Sequence, residues 1–154
     1  MILGFTGTSA GMTQRQRATV RYLLMELQTT VLHHGDCIGA DAEVHRDAKG
    51  LQIFIVAHPP EDSKKRAFCA GADVVCQFKP YLKRNCDIVL EGVDGLIAAP
   101  RNANEPTNLR GQGTWTTVGY ARQAGRRIWI VMPDGTFKEE QFVAEVEEGY
   151  GHGI

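Results

Sequence analysis

Short apolar runs alternate along this chain with longer stretches whose apolar residues recur at helical spacing. Residues 2–6 (ILGFT) form an apolar run that meets Gly7, which predicts a first strand. Residues 13–30 follow, with Val20, Leu23, Leu24, Leu27 and Val31 spaced as one buried stripe of a helix. Thr13 with Gln16 three residues on has the form of a capping box and sets the helix start. Residues 31–33 read as a second strand, 35–39 as a turn, and 40–49 as a second helix that Gly50 is placed to end. The β-branched run LQIFIVA at 51–57 predicts an interior parallel strand. Residues 58–71 are polar and suit a loop or a short helix, and 73–78 suit a fourth strand. Residues 80–91 predict a helix with Pro80 near its first turn. GLIAA at 95–99 predicts a fifth strand stopped by Pro100, and 101–112 a long polar loop. Residues 114–124 predict a helix with Gly125 at its end, IWIVM at 128–132 a sixth strand, and 138–148 an acidic C-terminal helix.

Strands separated by helices imply parallel pairing, because parallel neighbours need long crossovers. The expected fold is a single α/β domain over residues 1–154. It is Rossmann-like and doubly wound, with a mostly parallel sheet and helices on both faces. In such sheets ligands sit beyond the carboxyl ends of the strands, so the loops after the strands are the ones to inspect.

Three of those loops are unusual. The first, TGTSAG at 6–11, offers Gly7, Thr8 and Ser9, whose amides and hydroxyls suit phosphate or sugar oxygens; a plain strand-to-helix turn is the competing reading. The second, HGDCIGAD at 34–41, sets Gly35, Asp36, Gly39, Ala40 and Asp41 at a helix start. An acid there serves as a cap or a dipole partner, or it accepts hydrogen bonds from ribose hydroxyls. The third, RGQGTW at 110–115, is the best phosphate cradle. Gly111 and Gly113 admit an anion to helix N–H groups, Thr114 serves as N-cap or ligand, and Arg110 and Arg101 add charge beside Pro100 and Trp115. Arg84 and Asn85 suit a phosphate and a base or sugar edge, against a surface salt bridge as the plainer role.

Composition narrows the field. The net charge of −1 supplies no bulk positive field, so nucleic acid is not the expected partner. No apolar run approaches a membrane span. Residues 1–5 lead straight into Gly7 without a basic start, so no signal peptide and a cytoplasmic location are expected. Cys37, Cys69, Cys76 and Cys86 form no Cys-x-x-Cys pair and read as free thiols. His33, His34, His45 and His58 are scattered, with no second ligand pair at metal spacing, so neither metal nor cofactor is expected.

Together, TGT after the first strand, HGDCIGADA at 34–42, YLKRN at 81–85, GLIAAP at 95–100 and RGQGTW at 110–115 resemble the SLOG superfamily, within it the YspA/cpYpsA-related branch. The resemblance spans residues 4 to about 135. It implies a Rossmann-like fold whose glycine loops bind nucleotides or nucleotide derivatives, and a homo-oligomer. Relatives include Lonely guy phosphoribohydrolases, single-strand-binding DNA-processing proteins and sensor domains. The phosphoribohydrolases carry Gly-Gly-x-Gly-Thr-x-x-Glu, and here Thr117 stands where that glutamate would be. Threonine cannot serve as a carboxylate base. Binding or sensing of a nucleotide-derived small molecule is therefore the leading expectation. A nucleoside 5'-phosphate N-glycosidase is the alternative, with Asp36, Asp41, Arg84 or Glu91 as stand-ins, and single-stranded DNA binding comes third.

Overall fold

The computed structural model describes residues 1–91 and 93–141. In chain order they form β1 (Ile2–Gly7), α1 (Gln14–Glu26), β2 (Val31–His34), α2 (Ala40–Gly50), β3 (Phe54–Ala57), β4 (Val74–Val75), α3 (Tyr81–Leu90), β5 (Gly95–Ala99), α4 (Gly113–Gln123), β6 (Arg127–Val131) and β7 (Phe137–Glu140). One sheet takes the order β4-β3-β2-β1-β5-β6-β7. Its neighbours pair parallel, except that β7 runs antiparallel to β6. This is the Rossmann-like doubly wound architecture that the alternation implied.

The two faces follow from the strand period of two. Ile97, Ala99, Trp129 and Val131 point to one side, where Val20, Leu23 and Leu24 of α1 and Val44 and Ala48 of α2 cover them. Leu96, Ala98, Ile128 and Ile130 point to the other, under Ile88 and Val89 of α3 and Val118 and Ala121 of α4. β5 is buried along its whole length, as its GLIAA sequence requires. Full burial of each such aliphatic chain contributes about 1.5–3 kcal/mol.

α1 begins as its sequence dictates. The Thr13 side chain accepts from the Gln16 N–H, and the Gln16 side chain accepts from the Thr13 N–H. Other boundaries moved. β3 is shorter than the apolar run that announced it, because Leu51–Ile53 close α2 instead: Leu51 is its C-cap and Gln52 takes the left-handed φ of 58° expected nearer Gly50. The fourth strand shrinks to two residues.

The acidic C-terminal helix is corrected at its start. Residues 137–140 are strand β7, and residues 142–148 lie outside the described residues. Pro133-Asp134-Gly135 turns the chain: the Gly135 N–H donates to the Met132 carbonyl at 2.9 Å and the Met132 N–H to Thr136 at 2.7 Å. That is hairpin chemistry. Glu139 then pairs across the hairpin with Arg127 of β6, and Glu140 reaches Arg122 at the end of helix α4.

Candidate functional site

The direction of the strand order reverses between β1 and β5. A cleft of about 1020 Å³ opens there, at the carboxyl ends of the strands, and loops after β1, β2 and β5 line it together with the start of α3. Thr8 anchors the first loop. Its N–H donates to the Ala99 carbonyl at 3.0 Å, and its own carbonyl accepts from Gly11 and Ala40. Gly7, Thr8 and Ser9 therefore form a fixed wall of the cleft. Gly39, at a φ of +91°, backs that wall: a side chain there would strike the Ser9 carbonyl. Gly35, Gly39 and Ala40 thus stand behind the lining rather than in it.

The floor is charged and buried. Arg84 is not on the surface but 3% exposed, and Asn85 beside it 4%. The Arg84 guanidinium donates to the Gly35 carbonyl at 2.8 Å and to the Cys37 sulfur at 3.3 Å. It passes so close to Gly35 that a Cβ there would occupy its place. Asp41, in the first turn of α2, accepts from the Cys37 N–H at 3.2 Å through Oδ2. Its Oδ1 is buried with no hydrogen-bond partner among the described residues. Burial lifts the Asp41 carboxyl to about 6, against the pull of Arg84. Burial also pushes the Cys37 thiol up to about 11, which keeps it protonated and a poor nucleophile.

Asp36 does not reach the cleft. It is 2% exposed, and its carboxylate takes Arg66 Nε at 2.7 Å and the Cys69 N–H at 2.9 Å. Burial alone would raise its pKa; the Cys69 and Arg66 bonds outweigh that and hold it below the ordinary range. Asp36 pins the 58–71 segment, whose Lys65 joins the cleft wall through an Ile38 N–H bond to the Lys65 carbonyl at 3.1 Å. Sequence reasoning missed Lys65. The basic cluster KKR at 64–66 following an acid-bearing loop was the available signal, but which arginine meets which aspartate is tertiary information.

Across the cleft α4 starts at Gly113, with Gln112 as N-cap and no side chain capping it. Thr114 therefore lies inside the first turn and is not the cap. Uncapped first-turn N–H groups and the helix dipole favour an anion. Gly111, Gly113, Thr114, Arg101 and Arg110 all line this side, both arginines exposed. Trp115 is 4% exposed and belongs largely to the core. The Pro100 carbonyl accepts from the Gln16 side chain at 2.9 Å, which fixes the turn out of β5. Thr117 is fully buried and its hydroxyl donates back to the Gly113 carbonyl at 2.9 Å, so it offers the cleft nothing.

The histidines pair behind the floor. The Asp36 N–H donates to His34 Nδ1 at 2.9 Å. His34 must therefore carry its proton on Nε2, which faces His45 Nδ1 at 2.9 Å, and His45 Nε2 donates to the Ala70 carbonyl at 2.8 Å. Burial depresses His34 to about 3, which keeps it neutral, and both of its ring nitrogens are hydrogen-bonded.

No family profile and no curated protein matches the chain. Solved structures do. A molybdenum cofactor binding protein from the phototrophic bacterium Rippkaea orientalis superposes with a TM-score of 0.65 at 20% identity, covering 85% of this chain and 76% of that one. The structural genomics target TM1055 gives 0.60 at 12% identity, covering 83% and 72%. DNA processing protein A (DprA) from Streptococcus pneumoniae gives 0.62 at 18% identity, covering 84% of this chain but about half of its own, 49%. At such identities the shared property is the Rossmann-like α/β fold. Among the described residues no helix is long and apolar enough to cross a membrane.

Proposed function

We propose that this protein binds a nucleotide or nucleotide derivative in the β1–β5 cleft, as a member of the SLOG superfamily of the YspA/cpYpsA-related kind. One observation carries the reading: an uncapped helix start with two arginines faces a buried floor of Arg84, Asn85 and Asp41 across a single cleft at the strand-order reversal. A phosphate fits the α4 side, where Gly111 and Gly113 leave room and Arg101 and Arg110 supply charge. A sugar or base edge fits the Asp41 and Asn85 side, since Asp41 Oδ1 holds an unused acceptor. Small-molecule sites run to about 300–1,000 Å³, and a nucleotide falls within that range. Mass spectrometry of the intact protein purified under native conditions tests the reading. A retained or added nucleoside phosphate is expected; no binding of any such compound would refute it.

A second reading rests on Asp41. A buried carboxyl poised near pH 6 inside the cleft suits acid–base chemistry at a glycosidic bond, in place of the glutamate that Thr117 replaces. Release of free base from nucleoside monophosphates, lost in Asp41→Asn, is what this reading requires. Single-stranded DNA fits less well. Among the described residues the aromatic rings lining the cleft are Phe5 and Trp115, 0% and 4% exposed, and they offer no stacking platform. The four cysteines are free, which suits a reducing cytoplasm. Self-association is carried as part of the proposal. The edge strand β4 exposes Val74 and Val75, with Phe54 exposed beside it on β3, and light scattering at the 17.0 kDa monomer mass would remove it.

A further inference from the structure

A second histidine pair lies on the opposite face of the sheet from His34. His33 projects from β2 toward the α3 side, and His58 follows β3. His33 Nδ1 and His58 Nε2 share a hydrogen bond of 2.8 Å, with the rings 5.1 Å apart and 25° from parallel. Both are buried, at 7% and 3% exposed. Glu91, at the C-cap of α3, brings a carboxylate to the same spot. The three ligand atoms all lie within 4.8 Å of one another.

We propose that His33, His58 and Glu91 form a binding site for a divalent transition-metal ion of the zinc type. Two neutral imidazoles and one carboxylate are a zinc donor set, with the fourth position left to water. A Zn–N length of about 2.0 Å asks two tetrahedral nitrogens to stand about 3.3 Å apart, about half an ångström wider than the 2.8 Å of their hydrogen bond, so the ion takes the place of that bond and the rings move slightly apart. Glu91 is exposed and gives an ion a route in. The nearby Asp87 carboxylate is engaged by Lys79 at 2.6 Å, so Glu91 is the acid left for the ion.

The other cluster with donor potential, His34, His45 and Cys69, makes the contrast. Both ring nitrogens of His34 and of His45 are held, by each other, by the Asp36 N–H and by the Ala70 carbonyl, whereas an ion between His33 and His58 displaces only the bond between those two; burial together with Asp36 also pushes the Cys69 thiol to about 12. Linear spacing conceals the His33 site, because twenty-five residues separate the two histidines and only parallel pairing of β2 with β3 joins them. A cation there ties the end of α3 to β2 and to the segment after β3. Arg84 sits two turns up the same helix from Glu91, so the ion also steadies the cleft floor.

The test uses the whole chain, stripped with a chelator and titrated with zinc chloride in competition with a chromophoric chelator. Cobalt(II) absorption reports the coordination geometry. One equivalent at micromolar affinity or tighter is expected, with a rise in melting temperature. Glu91→Gln, a surface change, is expected to weaken binding about tenfold or more. His58→Gln is expected to remove the cobalt spectrum, and His45→Gln to leave both readouts as they were. Absence of zinc binding, binding untouched by Glu91→Gln and His58→Gln, or binding lost in His45→Gln would each overturn the assignment.

Discussion

Asp41 is the one acid in the cleft with an oxygen uncommitted among the described residues. Its role as acceptor for a sugar or base edge depends on its being ionised, and burial places that ionisation near pH 6. Affinity for a ribose-bearing nucleotide should therefore fall as pH drops below about 6. That component of the pH profile should vanish in Asp41→Asn, as isothermal calorimetry at several pH values can establish. An identical pH profile in both proteins would contradict the role. Opposite Asp41, Gly113→Asp puts a carboxylate at the start of α4, where the phosphate is placed. Binding should drop below detection in calorimetry while the circular dichroism spectrum stays the same. Unchanged affinity would move the phosphate elsewhere.

Helix α1 carries no cleft side chain, yet it holds two strand ends in place. Buried Gln16 donates to the carbonyls of Pro100 and Val131, both at 2.9 Å, while it completes the cap with Thr13. Thr13→Ala should cost about 1 kcal/mol, as loss of a helix cap does. Gln16→Leu should cost more, because each buried carbonyl left without a donor costs about 1–3 kcal/mol. Urea melts of both variants check the order. The Thr13–Gln16 spacing made this element readable from sequence, and the GLIAA and IWIVM runs did the same for β5 and β6. The loop at Gly7 was legible as a cleft wall because glycine and hydroxyl residues directly follow an apolar run, and the loop at Gly111 because two glycines and a threonine open a helix. The Asp36–Arg66 and His33–His58 pairings were not, since each joins segments that meet only through the sheet. β7 was misread because its glutamates suit an exposed helix as well as an exposed edge strand, and the Pro-Asp-Gly turn before it decides the matter.

At the scale of the whole molecule, acid sensitivity follows from the buried histidines. Burial lowers His34 from 6.5 to about 3 and His58 to about 4, and lowers His33 as well. Each contributes stability that is full above pH 6.5 and is lost as pH falls toward the folded value. Asp41 acts in the other direction: its contribution is present below 3.8 and is lost as pH rises through about 6. Three histidines act this way against one carboxyl, so the melting temperature should fall between pH 6.5 and 4; a flat or rising profile would contradict this balance. The two halves of the sheet meet at β1 and β5, and the cleft their meeting leaves is the proposed nucleotide site. Proton–nitrogen NMR of the labelled chain titrated with a nucleoside monophosphate tests it most directly. Saturable shifts are expected at Thr8, Asp41, Arg84 and Gly111 to Trp115, and none of them in Gly113→Asp. A saturable response confined to other residues, or no response to any nucleoside phosphate, would contradict it.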